Sequence, residues 1–188
     1  MNAMPGSRSC LYDEAELEAL LDAMALQAAS LLHGRSRVAL VGILRRGAPL
    51  ADRLTERLVR DHGLAPPLRL DLKVKRYADD LTLLHPETRL TEQPQQAALD
   101  LAGWTLLLVD DVLYTGHSLL RVLDYLARKQ PAEIRVAVLA DRCAATLPIA
   151  ADVIGARLQI APAGIVECHL PPYEPDFRIE LLQPQRAG

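Results

Sequence analysis

Leu106-Leu107-Leu108-Val109-Asp110-Asp111-Val112-Leu113-Tyr114-Thr115-Gly116-His117-Ser118 is an apolar run of strand length that ends in two carboxylates and a Thr-Gly turn. Helical periodicity follows at once, with Leu119, Leu120, Val122, Leu123 and Leu126 on one face. In an open α/β sheet, ligands sit outside the carboxyl ends of the strands, where the free N–H groups of a helix start favour a phosphate. Thr115, Gly116 and Ser118 suit that phosphate. Asp110 and Asp111 would repel it, but carboxylates accept hydrogen bonds from vicinal hydroxyls, so the stretch fits a ribose 5-phosphate. Ordinary turn chemistry with a helix cap is the competing reading. No Gly-x-Gly-x-x-Gly follows a strand and no Gly-x-x-x-x-Gly-Lys-Ser/Thr occurs, so neither a dinucleotide fold nor a P-loop is indicated.

The elements on either side have the same strand-then-helix order. Asp13 and Glu16 form a capping-box pattern ahead of Leu17, Leu20, Leu21, Met24, Ala28, Leu31 and Leu32 at helical spacing, and His33-Gly34 ends that helix. Val38 to Ile43 reads as a buried strand, Leu44 to Gly47 as a loop, and Pro49 with Leu50, Leu54 and Leu58 as a second helix. Leu68 to Val74 alternates like a half-exposed strand, whereas Ile134 to Ala140 is another buried one. From Lys75 the pattern dissolves until about residue 101, a length typical of active-site lids. The segment from about 141 to 183 has short apolar runs, Val153-Ile154, Gly164 to Val166 and Ile179 to Leu182, expected to form a cap over one end of the sheet. Strands alternating with helices give an α/β fold with a parallel sheet covered on both faces.

At 188 residues, half of them apolar, the chain suits one domain spanning 1 to 188. Its net charge of -3 gives no general attraction to nucleic acid or anionic membrane. Cys10, Cys143 and Cys168 are odd in number and lack Cys-x-x-Cys spacing, which argues against a disulfide framework or a zinc site and fits a reducing cytoplasm. Met1 to Ser9 has no apolar core of a signal peptide, and no run is long enough to span a bilayer. His33, His62, His85 and His169 have no metal-ligand spacing, and Cys143 reads as a packing residue.

From Val38 to Ile154 these motifs resemble the type I phosphoribosyltransferases. Within them the likeness is to the branch that joins uracil phosphoribosyl transfer to regulation of pyrimidine operons. Val109 to Gly116 is similar to the family's loop for 5-phosphoribosyl 1-pyrophosphate (PRPP), and Val41 to Gly47 to its pyrophosphate loop. Val138-Leu139-Ala140-Asp141-Arg142, with Leu147-Pro148-Ile149, Ala151-Asp152 and Ile154-Gly155, points to the uracil branch.

The resemblance implies the type I fold, with a small hood and a flexible β-loop lid, and conversion of uracil and PRPP to UMP and pyrophosphate. Asp110 and Asp111 would hold the ribose and, mostly through substrate oxygens and water, Mg2+. Arg46 would bind pyrophosphate, although a solvated surface arginine is its alternative reading. Arg45, Gly47, Val112, Leu113, Tyr114 and His117 complete the PRPP loops alongside Thr115, Gly116 and Ser118. Arg76-Tyr77-Ala78-Asp79-Asp80-Leu81 is similar to the lid pattern Tyr-Arg-Asp-Asp-Leu, with Ala78 at the usual arginine position and Arg76 as the expected lid cation. Asp141 and Arg142 would contact or organise the base, a plain turn role being the alternative.

The branch's RNA-binding pattern places basic and hydroxyl residues in the first helix, but Ala15 to Leu32 contains no arginine or lysine. Cys143-Ala144-Ala145-Thr146 likewise stands where that pattern is polar and basic, so RNA binding is not expected. Two further readings stay open: a nucleotide-sensing RNA-binding regulator with weak catalysis, and transfer to a purine base. A homo-oligomer, dimer or higher, is expected from the apolar face of the first helix and the short C-terminal strands.

Overall fold

The computed structural model describes residues 6 to 73 and 99 to 184. The expected lid therefore lies outside the described residues, Arg76 included, apart from its last positions, 99 to 101.

Five parallel strands form the main sheet: β2 (Val38–Leu44), β3 (Leu68–Lys73), β4 (Thr105–Leu113), β5 (Glu133–Asp141) and β6 (Val153–Arg157). Their order is β3-β2-β4-β5-β6. Three helices flank them among the described residues: α1 (Glu14–Leu32), α2 (Gly47–His62) and α3 (His117–Ala127). β1 (Gly6–Tyr12), β8 (Arg178–Pro184) and β7 (Ile165–His169) form a separate antiparallel hood in the order β1-β8-β7.

The two-residue period of the central strands divides their side chains between two cores. Leu40, Leu107, Val109, Ala137 and Leu139 join α1 and α2 on one face, and Val41, Ile43, Leu106, Leu108, Val136 and Val138 join α3 on the other. Burial on both sides explains why these strands read as unbroken apolar runs. Cys168, Leu170, Phe177 and Ile179 of the hood belong to the same buried cluster as α1 and α2.

The capping box at α1 is present. Glu16 N–H donates to Asp13 Oδ1 at 2.9 Å, and Asp13 N–H donates to Glu16 Oε2 at 2.9 Å. Arg57, on the inner side of α2, donates from Nε to Asp22 Oδ1 at 2.7 Å and from Nη2 to Glu18, fastening the two helices together.

One expectation needs correction. Val153-Ile154 was assigned to the hood, yet β6 pairs with β5 from Ala137↔Val153 to Asp141↔Arg157 and forms the edge of the main sheet. Two apolar residues are too few to reveal which sheet a strand joins. The hood also recruits β1, a strand not expected from the sequence. Gly6 to Tyr12 is mostly exposed and carries little apolar patterning, so only its pairing with β8 identifies it.

The start of α2 lies against the end of β4. A Cβ added to Gly47 would come within 2.4 Å of the Val109 carbonyl oxygen. Gly47→Ala must therefore push the loop away from the sheet, and it should destabilise the protein by about 2 kcal/mol through overpacking, read from urea midpoints. An unchanged midpoint would mean that this approach is not constrained.

Candidate active site

β2, β4 and β5 all end on the same side of the sheet, and their loops meet there. Asp110 and Asp111 lie in the C-terminal half of β4 and are 7% and 3% exposed. Strand alternation sends them to opposite sides of the strand end, Asp111 toward the α2 side with Val109 and Asp110 toward the α3 side with Leu108. The Asp111 N–H donates to Asp110 Oδ1 at 2.9 Å, which fixes one carboxylate against the next peptide.

β4 runs on through Val112 and Leu113, further than the expected strand end at Val109, and Tyr114 to Gly116 then turns into α3. Leu113 is buried, Tyr114 and His117 are exposed, and Thr115 and Ser118 are half-buried. Gly116 takes a φ of 88° as the N-cap of α3, and no side chain caps the helix there. The helix start therefore presents its N–H groups and the positive end of its dipole, as an anion site requires. The Thr115 carbonyl accepts from the Thr146 N–H at 3.1 Å, tying this loop to the one after β5.

Leu44 to Gly47 joins β2 to α2, with a cis peptide between Leu44 and Arg45. Arg45 is exposed and stacks its guanidinium 4.7 Å from the Tyr173 ring. Arg46, whose side chain is 30% exposed, places Nη1 4.0 Å from Asp111 Oδ2. Its Nε and Nη2 donate to Glu174 Oε2 and Oε1 at 3.1 and 2.5 Å. Burial alone would lower the Arg46 pKa, but the bonds to Glu174 and the charge of Asp111 outweigh it and raise it. Burial would likewise raise the Glu174 pKa. The hydrogen bonds from Arg46 and from the Leu170 N–H overcome that and hold the carboxyl below the usual glutamate range.

Asp141 and Arg142 close the third side. Asp141 Oδ1 accepts from the Cys143 N–H at 2.8 Å, and the Asp141 carbonyl accepts from the Leu158 N–H at 2.7 Å. Arg142 is only 7% exposed. Its guanidinium lies 4.1 Å from the centre of the Tyr114 ring, and Nη2 donates to the Gly164 carbonyl at 2.8 Å. Arg142 thus braces the Tyr114 loop against the connection leading to β7.

Of the sequence-expected residues, Asp110, Asp111, Arg45, Arg46, Gly47, the Val112 to Ser118 loop, Asp141 and Arg142 all gather at this end of the sheet. Tyr173 and Glu174 also reach the site, although the sequence analysis did not single them out. They sit in a proline-bearing connection between β7 and β8 with no motif of their own, and only the fold brings them to Arg45 and Arg46.

Asp110 and Asp111 offer hard oxygen ligands suited to Mg2+, but among the described residues no third His, Cys, Asp or Glu joins them in a metal-ligating cluster. Such a pair fits an ion that arrives on substrate phosphates and keeps its waters. A set close enough to share a metal does occur on the hood, Glu167, His169 and Glu180. There Arg8 pairs with Glu167 at 2.9 Å and Arg178 with Glu180 at 3.0 Å, so the carboxylate charge is already balanced.

The phosphoribosyl transferase domain model matches residues 7 to 171. The chain belongs to the phosphoribosyltransferase family. Within it, the chain is similar to curated proteins named Bifunctional protein PyrR. The one from Deinococcus radiodurans is 32% identical, over 97% of this chain and 98% of that protein. One from Listeria monocytogenes is 36% identical, over 85% of this chain and 88% of that protein. A solved hypoxanthine phosphoribosyl transferase of Trypanosoma cruzi superposes with a TM-score of 0.76, at 19% identity, covering 97% of this chain and 94% of that one. That likeness shows the type I fold.

The Arg46–Glu174 pair has a pH signature. A carboxyl whose folded pKa is depressed stabilises above its ordinary range, and that stability is lost as pH falls through the folded pKa. Glu174→Gln should cost about 1 kcal/mol at pH 7. The gap from the native chain should then close as acid titrates Glu174 below the usual glutamate range. Urea midpoints followed from neutral to acid pH would show it, and a gap that held constant would refute the coupling.

Proposed function

We propose that the protein transfers the phosphoribosyl group of PRPP to uracil, giving UMP and pyrophosphate. The observation that carries this reading is the meeting of three features at one sheet end: an acidic pair, an uncapped helix start and an arginine loop. Together they match the three parts of PRPP, its neutral ribose diol, its 5-phosphate and its pyrophosphate. The 5-phosphate would sit on the α3 start with Thr115, Gly116, His117 and Ser118, and the ribose hydroxyls would donate to Asp110 and Asp111. Arg45, Arg46 and the backbone up to Gly47 would take the pyrophosphate.

Transfer to a ring nitrogen passes through a cation-like sugar. The buried carboxylates then serve twice, holding the hydroxyls and stabilising positive charge that develops beside them. Asp110 and Asp111 would hold Mg2+, mostly through substrate oxygens and water, and the ion would supply charge neutralisation for the leaving group. Arg142 holds the Tyr114 loop in place, and the Asp141 to Thr146 loop offers backbone groups to a base. The segment with Arg76 is proposed as the lid that excludes water.

Uracil is favoured over a purine by the run of PyrR-named relatives across most of the chain, whereas the hypoxanthine enzyme shares only the fold. RNA control is not favoured. The outward positions of α1, such as Ala15, Ala19, Ala23 and Leu26, carry no cations, and a phosphate-tracking surface needs them. Self-association and residence in the cytoplasm complete the proposal, although the apolar face of α1 expected to mediate association is buried in the chain's own core, which leaves the C-terminal strands of the hood to mediate it. None of the three cysteines forms a disulfide. No helix among the described residues is long and apolar enough to cross a membrane.

UMP formation from uracil and PRPP, with and without Mg2+ and with hypoxanthine and guanine in parallel, tests the reading. Turnover on uracil alone is expected. Asp110→Asn combined with Asp111→Asn should abolish it, and Arg46→Ala should lower kcat/KM for PRPP by roughly ten- to a hundredfold, as loss of a charged hydrogen bond does. Turnover on a purine instead would reassign the base, and undiminished activity in the double variant would end the sugar-site assignment.

A further inference from the structure

Arg46 reaches the candidate site already engaged. Glu174 takes its Nε and Nη2 edge in a two-point ion pair, and the Leu170 N–H at 3.0 Å holds the same carboxylate in place. The neighbouring residues repeat the contact, Arg45 lying over the Tyr173 ring. The β7 to β8 connection therefore grips both arginines of the pyrophosphate loop, and the other end of the Arg46 guanidinium, Nη1, faces Asp111. A carboxylate occupying a guanidinium edge is the nearest thing within the chain to a bound phosphate, since both match the same planar donor fork.

We infer that Glu174 is a positioning residue that competes with pyrophosphate for Arg46. This rests on the phosphoribosyl transfer reading and deepens it. With Glu174 in place, Arg46 is aimed across the mouth of the site but offers pyrophosphate only part of its fork, next to a like-charged carboxylate. The donor and the product are both held less tightly than an unencumbered arginine would hold them. That weakness matters most for the product, because free pyrophosphate has no sugar attached to help retain it. Glu174 thus favours release after transfer, and it ties release to the hood through the Leu170 peptide.

Calorimetric titration of inorganic pyrophosphate in magnesium buffer tests this on the whole chain, as the native protein, Glu174→Gln, Arg46→Ala and the double variant. Glu174→Gln keeps the side-chain volume and removes the charge, so it should tighten pyrophosphate by roughly three- to fivefold, the scale of one partly exposed charge pair. Arg46→Ala should weaken binding, and adding Glu174→Gln to it should then have little effect, because the competition runs through that arginine. The KM for PRPP should fall in Glu174→Gln as pyrophosphate tightens. A brace with no competing role would leave both constants unchanged or weaken them, and either result overturns the inference. If Glu174→Gln fails to fold, Glu174→Asp keeps the charge on an arm one methylene shorter, which holds the carboxylate further from the guanidinium. It should tighten pyrophosphate by a smaller factor, and looser binding there would be equally fatal. A native protein that binds no pyrophosphate would overturn the transfer reading, and this inference with it. Native binding that is unaltered in Glu174→Gln overturns the inference alone.

Discussion

Two backbones approach each other at the end of the sheet more closely than side chains allow, and the arrangement around them depends on that approach. Gly42 near the end of β2 has the Ala48 Cα within 2.6 Å of where its Cβ would be, and Gly47 opens α2 against the Val109 carbonyl of β4. With no methyl groups in the way, α2 begins directly over the strand ends. Arg46 is thereby delivered within 4.0 Å of Asp111, on a neighbouring strand. The sheet supplies the floor, since β2, β4 and β5 are buried on both faces and cannot shift without exposing apolar side chains.

Charge is arranged to suit that geometry. The acidic pair is almost fully buried, a costly placement for carboxylates unless hydrogen bonds and cations are close. The Asp111 peptide supplies a hydrogen bond to Asp110, and the Arg46 guanidinium supplies positive charge near Asp111. Glu174 then restrains Arg46 from the hood side, so that the cation lies between two carboxylates from different elements. Arg142 does for the opposite wall what Arg46 does for this one, stacking on Tyr114 and reaching the Gly164 carbonyl.

The central strands were legible in the sequence because each is buried on both faces and reads as a continuous apolar run between turn residues. The capping box of α1 was legible for a different reason, since the pattern is local and its two hydrogen bonds form within four residues. The stretch from Asp110 to Ser118 was readable because its acidic pair, Thr-Gly turn and helix start are contiguous. What escaped notice is what the chain assembles from afar. β1 has no apolar face to advertise it and exists through its pairing with β8. β6 has too few apolar residues to declare a sheet. Glu174 has no motif and acquires its meaning only from Arg46, which lies far earlier in the chain.

The pairing of β1 with β8 means that a strand preceding α1 and a strand following β7 lie side by side in the same small sheet. During synthesis the elements from α1 to β6 can pair and pack before β8 emerges, although Phe177 and Ile179, which share their buried cluster, come later. The hood cannot close until β8 arrives, and the Tyr173-Glu174 connection that grips both arginines is flanked by the two strands that complete it. A nascent or shortened chain ending before Arg178 would thus carry the acidic pair and the helix start in a formed sheet while its arginine loop lacked the enclosing hood. Completion of the site in this sense waits on a strand that follows, in the chain, every element that lines it.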